Sequence, residues 1–93
     1  MNVDRTAMQL NAYPRLRPIF RLQWEQAQDA HVLLYPEGMV KLNASAGQIL
    51  LRCDGTRSLD EIVAELEILF SAPNLAPDVN RFLDHARERG WID

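Results

Sequence analysis

The stretch AHVLLYPEGMVKL, residues 30–42, predicts a β-hairpin around which the rest of the chain can be interpreted. Ala30 to Tyr35 is rich in strand-forming residues and has apolar side chains on both faces, as a central strand requires. Pro36 supplies the fixed φ of a tight turn, and Gly38 can follow in a left-handed conformation. Met39 to Leu42 is then predicted to be the returning strand.

Upstream of the hairpin, apolar and polar residues alternate from Ile19 to Glu25, which predicts a further, half-buried strand. Its apolar positions are Phe20, Leu22 and Trp24. Residues 1–16 show no strong period, so we interpret them as an N-terminal arm and residues 17–93 as the domain.

Downstream of the hairpin the apolar period changes from two to about 3.6, which predicts helices. The first has the apolar positions Ala46, Ile49, Leu50 and Cys53, and either Asn43 or Ser45 can cap it. The second opens at a capping box and carries the stripe Leu59, Ile62, Val63, Leu66, Leu69 and Phe70. The third has Pro77 in its first turn and the stripe Val79, Phe82, Leu83 and Ala86, and it ends at Gly90.

The predicted fold is therefore α+β: a three-stranded antiparallel β meander followed by three α-helices that cover one face of the sheet. Three short helices beside a β-wing also describe a winged helix-turn-helix. After the third helix, Trp91 and Ile92 are expected to fold back onto the core.

Composition limits what the chain can do. It has 93 residues, 47% hydrophobic and 25% charged, which fits one small globular domain. The net charge of -3 disfavours a partner held by phosphate neutralisation; for Arg15, Arg17 and Arg21 a solvated strand edge is favoured over a polyanion site. The lone Cys53 excludes an intrachain disulfide, and we find neither a signal peptide nor a membrane-spanning apolar stretch. We therefore expect a cytoplasmic protein that does not bind membranes.

The chain lacks the residue sets that catalysis requires. Cys53 falls on an inward helix stripe and is interpreted as a small buried hydrophobe. His31 and His85 have no partner at a metal-ligand spacing, and there is no glycine-rich phosphate loop. We therefore predict no catalytic residues, no metal and no cofactor, and we expect the chain to be a binding protein, not an enzyme. The open edge of the sheet at Met39 to Leu42 can accept an added strand, unless Lys41 blunts it.

Four stretches together resemble the PqqD family of pyrroloquinoline quinone biosynthesis. They are FRLQW at residues 20–24, LLYPEGMVKLN at 33–43, CDG at 53–55 and GWI at 90–92. The resemblance covers residues 17–93 in the same order and with similar spacing. It does not extend clearly into residues 1–16.

The resemblance implies a peptide chaperone with a winged-helix-like fold. Such proteins bind the ribosomally made precursor peptide PqqA and deliver it to the radical S-adenosylmethionine enzyme PqqE, which joins a Glu and a Tyr of the precursor. The peptide adds as a strand beside strand three and packs against helix three. Carried onto this sequence, the peptide-binding residues are Met39, Val40, Lys41, Leu42, Arg81, Phe82, His85 and Arg89. Phe82 also belongs to the inward stripe, so a purely core role for it stays open.

Two other functions remain as alternatives. The helix order also permits a DNA-binding winged-helix regulator, although the charges of the third helix and its C-terminal Arg89 sum to about zero. A carrier of the finished quinone would need a cationic pocket, and none is identifiable. The unpaired sheet edges and the arm also suggest a possible homodimer that competes with the peptide.

Overall fold

A computed structural model describes residues 13–93 and has the predicted order of three strands followed by three helices. The elements are β1 (Arg21–Glu25), β2 (Ala30–Tyr35), β3 (Gly38–Lys41), α1 (Ala44–Leu51), α2 (Leu59–Leu69) and α3 (Ala76–Glu88). This confirms the winged-helix-like α+β fold. β1 starts two residues later than expected, because the Phe20 N–H donates to the Arg17 carbonyl and holds Ile19 in an exposed turn.

The three strands form one antiparallel sheet in the order β1-β2-β3. A short 3-10 turn, Gln26–Gln28, joins β1 to β2, and Asp29 closes it in the left-handed conformation with φ of 52°. The hairpin between β2 and β3 turns over Pro36 and Glu37, with Tyr35 paired to Gly38. β2 is therefore the central strand, and β1 and β3 are the two edges.

Burial of β2 on both faces agrees with its sequence pattern. Val32 and Leu33, which point to opposite faces, are both completely buried. Leu22 of β1 packs against the core as expected. Trp24 does not: it is 51% exposed and makes an edge-on contact with His31, with ring centroids 5.0 Å apart.

The helix boundaries follow from local capping. The side chain of Asn43 accepts a hydrogen bond from the Ala46 N–H at 2.8 Å, so Asn43 and not Ser45 caps α1. Ser58 and Glu61 form the predicted capping box of α2. α3 ends before Gly90, which has φ of 77° and reverses the chain.

The helices pack on the sheet through one core. It includes Leu33, Leu42, Ile49, Leu50, Cys53, Ile62, Leu66, Val79, Leu83, Ala86, Trp91 and Ile92. Gly47 lets α1 approach β2, because a Cβ there would lie 2.8 Å from the His31 Nδ1. The apolar stripe of α2 extends beyond this core, since Leu69 and Phe70 remain substantially exposed.

Ion pairs fix the connection between α1 and α2. Glu65 accepts hydrogen bonds from the Nε atoms of Arg57 and Arg52, both at 2.9 Å. The bond from Arg57 contributes most to holding the pKa of Glu65 below its usual value. Arg57 also pairs with Asp54 at 3.1 Å. The network joins the loop to both helices.

Both ends of the described chain meet in a feature that we call the terminal clasp, residues 14–17 against 53–55 and 91–93. Leu16 forms a β-bridge with Ile92, and its N–H donates to the Cys53 carbonyl at 2.9 Å. The Asp93 N–H donates to the Arg15 carbonyl at 3.0 Å, and Pro14 is buried. Residues 14–16 of the predicted arm are thus packed on the domain; residues 1–12 lie outside the described residues, and the domain boundary stays a prediction.

Candidate functional site

Cys53 is a core residue, as its place on the inward stripe predicted. Its side chain is almost completely buried, and its Sγ donates to the Ile49 carbonyl at 3.3 Å. Desolvation by burial, with a smaller contribution from the charge of Asp54, raises the pKa of the thiol to about 12. The nucleophilic thiolate is therefore scarce at neutral pH.

The two histidines have separate structural environments. His31 lies between Trp24 and the backbone of α1 at Gly47, whereas His85 is on the exposed side of α3. Within residues 13–93, no group of three His, Cys, Asp or Glu side chains is placed to hold a metal ion. None of the helices in that range is long and apolar enough to cross a bilayer.

The free edge of β3 presents the backbone groups of two predicted binding residues. The Leu42 N–H donates inward to the His31 carbonyl at 3.0 Å. Hydrogen-bonded and non-hydrogen-bonded pairs alternate along an antiparallel ladder, so Val40 also bonds to its partner Leu33. The N–H and C=O groups of Met39 and Lys41 consequently point away from β2. This edge can bind an added strand through both residues.

Side chains on β3 alternate in the same way. Val40 and Leu42 face the core, where Leu42 is buried and Val40 packs partly buried against it. Met39, at 51% exposure, and Lys41 face the opposite side of the sheet. Of the four predicted residues, Met39 and Lys41 therefore offer exposed groups, and Val40 and Leu42 hold the strand on the core.

An apolar groove of about 370 Å³ begins at Asn43, immediately after β3 and Leu42. It lies between one face of α1, the C-terminal part of α2 and the first half of α3. Its walls are mainly apolar and are formed by Ala46, Ile49, Leu66, Phe70, Leu75, Val79 and Phe82, with Asn43, Ser45 and Asp78 as polar members. A peptide strand that continues past the end of β3 would have a place for an apolar side chain here.

Three of the four binding residues predicted on the third helix and at its C-terminal end gather around Trp91. The rings of Phe82 and His85 lie 6.4 and 6.1 Å from its ring, centroid to centroid, and the Arg89 guanidinium carbon lies 5.9 Å from its centroid. We call Phe82, His85, Arg89 and Trp91 the tryptophan cluster. Arg81 is separate, because it extends into solvent and pairs with Asp78 at 3.0 Å.

The structure thus divides the eight predicted binding residues. Phe82 belongs to both the groove and the tryptophan cluster, and it packs against the same core as Val40 and Leu42. Sequence reasoning missed the groove residue Phe70, which it assigned to the core stripe, and the organising role of Trp91. The spacing of residues 82, 85 and 89 on one helical face was an available signal for the cluster.

The surface of α3 is charge-balanced, which matters for the DNA-binding alternative. Asp84 pairs with Arg87 at 3.3 Å, as Asp78 does with Arg81. DNA recognition by a helix needs Lys and Arg that are available to neutralise phosphates. The acidic partners on α3 disfavour that role.

The fold and the open edge define an α+β, winged-helix-like domain of three strands and three helices. A family model described as coenzyme PQQ synthesis protein D (PqqD) matches residues 30–92. The chain belongs to the PqqD family.

Similar proteins agree with this assignment. A protein of Azotobacter vinelandii named PqqA binding protein is 56% identical over 85 residues, which cover 90% of this chain and 92% of the relative. The solution NMR structure of the PqqD truncation of Methylobacterium extorquens PqqCD, described as a functional, stand-alone RiPP recognition element, is 25% identical, covers 92% of this chain and 99% of its own, and has a TM-score of 0.73. The crystal structure of PqqD from Xanthomonas campestris is 34% identical, with coverages of 84% and 89% and a TM-score of 0.56.

Proposed function

We propose that this chain is a peptide chaperone that binds the precursor peptide PqqA along β3 and presents it to the radical S-adenosylmethionine enzyme PqqE. The observation that carries the proposal is the outward-facing backbone of Met39 and Lys41, next to an apolar groove. The name of the Azotobacter relative supports PqqA as the ligand. Presentation to PqqE is the part of the proposal that membership of the PqqD family implies.

The β3 edge and the groove would contribute differently to binding, the edge to affinity and the groove to specificity. Backbone hydrogen bonds to Met39 and Lys41 contribute affinity without depending on the peptide sequence, at roughly 0.5–1.5 kcal/mol net for each bond. The groove beside Phe82 selects an apolar side chain and so sets the register of the peptide. No covalent step by this chain is required, and recognition without catalysis or a bound cofactor is the proposed role. The lone buried Cys53 fits a cytoplasmic location.

The test is a proline substitution on the open edge. Lys41→Pro removes an outward N–H that no partner strand uses, so the sheet should still form. Loss of one or two hydrogen bonds to the peptide should weaken PqqA binding by about 3-fold to 100-fold in calorimetric titrations. Lys41→Ala is the matched control, because it removes the side chain and keeps the backbone donor. Lys41→Ala should lose less PqqA affinity than Lys41→Pro.

Backbone amide shifts during a PqqA titration provide a second measurement. Shifts should concentrate in β3 and along α3, with Met39 and Lys41 among the largest. If Lys41→Pro folds normally and binds PqqA as tightly as the parent, the peptide does not pair along β3. A gel shift on duplex DNA tests the alternative function, since binding that weakens steeply with salt would indicate phosphate contacts.

A homodimer is a secondary proposal based on the same edge. Two copies of β3 can pair antiparallel across a two-fold axis, and each would then occupy the partner's peptide site. Peptide and dimer should therefore exclude each other.

A further inference from the structure

We infer that Arg89, held by the tryptophan cluster, is a reader of one carboxylate side chain on the bound peptide. The inference rests on the proposed function and adds a chemical preference to it. Arg89 is exposed and follows the last residue of α3. Its Nε donates to the His85 Nε2 at 2.7 Å. The two terminal nitrogens of the guanidinium remain to act as donors.

Charge pairing separates Arg89 from the two arginines within α3. Arg81 and Arg87 each have an aspartate three residues earlier. Among residues 13–93, none of the ion pairs involves Arg89. Its positive charge is therefore available to a ligand, whereas theirs are already neutralised.

Two contacts hold the guanidinium in place before any ligand arrives. The indole of Trp91 lies 5.9 Å from the guanidinium carbon, and His85 fixes the Nε side. Trp91 is itself buried in the core and contacts both Phe82 and His85, so it is a rigid support. Preorganisation of this kind lowers the entropy lost when a planar carboxylate forms paired hydrogen bonds.

Position along α3 connects the cluster to the groove. Phe82 lines the groove and also contacts Trp91. Seven residues of helix rise separate Phe82 from Arg89, about 10 Å at 1.5 Å per residue. An extended peptide advances about 3.3 Å per residue, and side chains on one face recur every second residue. Residues on the same face two and four positions from the side chain in the groove lie about 6.6 and 13 Å along the peptide, on either side of this 10 Å, so an acidic side chain at one of these positions can extend to the long side chain of Arg89.

The surroundings favour a single carboxylate over a polyanion. Asp84 and Glu88, on the same helix, are exposed and would repel a chain of phosphates. One carboxylate on a peptide can approach Arg89 from the side of the groove.

The experiment pairs protein variants with peptide variants in calorimetric titrations. The peptides are synthetic PqqA and a set in which each Asp or Glu is replaced singly by Asn or Gln. Arg89→Gln should weaken binding of PqqA by about 10-fold to 100-fold, because a charge-assisted interaction is lost. Arg89→Lys should fall between, since it keeps the charge and loses the planar fork. Arg21→Gln on β1 is the matched control for removing one positive charge and should change binding by less than about 2-fold.

One amide peptide should identify the partner. Its affinity for the parent protein should be as low as the affinity of PqqA for Arg89→Gln. Its affinity for Arg89→Gln should be no lower than that, because the interaction has already been removed. Parent-like binding by Arg89→Gln, or equal losses for every peptide in the set, would overturn the inference. If Arg89→Gln fails to fold, the parent protein can be titrated with each peptide while the NMR signal of the Trp91 indole N–H is followed. PqqA should shift this signal, and one of the amide peptides should not. If all the peptides shift it equally, Arg89 does not bind a carboxylate. Failure of the proposed function appears differently, as parent-like binding by Lys41→Pro.

Discussion

The sheet has two open edges, β1 and β3, that offer the same backbone chemistry in different surroundings. From the register, Leu22 and Trp24 point their backbone groups outward on β1, as Met39 and Lys41 do on β3. Beyond the end of β3 lies the apolar groove. The walls of that groove contain no β1 residue, whereas a second, more polar cavity of about 440 Å³ borders both edges, at Trp24 and at Lys41. Unpaired backbone is thus common to both edges, and the adjoining apolar side chains distinguish them.

The largest expected effect separates the inner and outer sides of β3 itself. Val40→Pro removes an N–H that bonds to β2 and forces a ring against that strand, whereas Lys41→Pro alters the open side. Val40→Pro should lower the free energy of unfolding by about 3 kcal/mol or more, and Lys41→Pro by about 1 kcal/mol or less. Urea unfolding measures both, with Val40→Ala as a control for the lost side chain. Equal losses from the two proline variants would contradict the assigned backbone orientation.

A second comparison places a proline substitution on each of the two edges. Trp24→Pro removes an outward N–H from β1, and Trp24→Ala controls for the lost indole. We expect PqqA binding by Trp24→Pro to stay within about 2-fold of its alanine control, against the roughly 3-fold to 100-fold loss for Lys41→Pro. A greater loss at Trp24 than at Lys41 would move the peptide to β1.

A substitution away from both edges provides a baseline for stability. Cys53→Ser places a hydroxyl in the core and should cost about 1–2 kcal/mol while PqqA binding is retained. In the parent, the thiol of the unfolded chain has its ordinary pKa of 9.0 and the folded thiol has a pKa of about 12, so unfolding becomes easier as pH rises through this range. Slow alkylation of Cys53 in native protein at mildly alkaline pH, compared with urea-unfolded protein, would verify its burial. Loss of PqqA binding in folded Cys53→Ser would refute a purely core role.

Self-association should give the smallest effect. Four-residue β3 edges can form few intermolecular hydrogen bonds, so a dimer through them should have an affinity in the millimolar range. Light scattering at high protein concentration should show the dimer decreasing as PqqA is added. A dimer that persists at saturating PqqA must use another surface, for which the β1 edge is the first candidate.

The elements of the fold were predictable because each has a strong local signal. Alternation in β1, the turn at Pro36, and the Ser58 and Glu61 capping box all act within a few residues. Trp24 broke the pattern because α1 packs against the sheet at His31 and leaves the indole beyond the core. Alternation along β1 predicts which side chains share a face, but it does not predict which of them the helices cover.

The candidate site was less accessible to sequence reasoning because it is built from distant segments. The open edge followed from the strand order, and the residues on it from the family resemblance. The groove combines the end of α2 with α1 and the first half of α3, so Phe70 looked like an ordinary core residue. The return of Trp91 to the core after Gly90 was predicted and is confirmed, but the contact of its ring with the Arg89 guanidinium is a tertiary detail that periodicity does not specify.

The terminal clasp bears on how this domain can be joined to other proteins. Because Arg15 and Leu16 pair with Asp93 and Ile92, tethers attached before residue 13 and after residue 93 would leave the domain from neighbouring points. None of the hydrogen bonds in the clasp uses Met39, Val40 or Lys41. Gene fusion to an enzyme at either end would therefore raise the local concentration of the peptide site without occupying its edge.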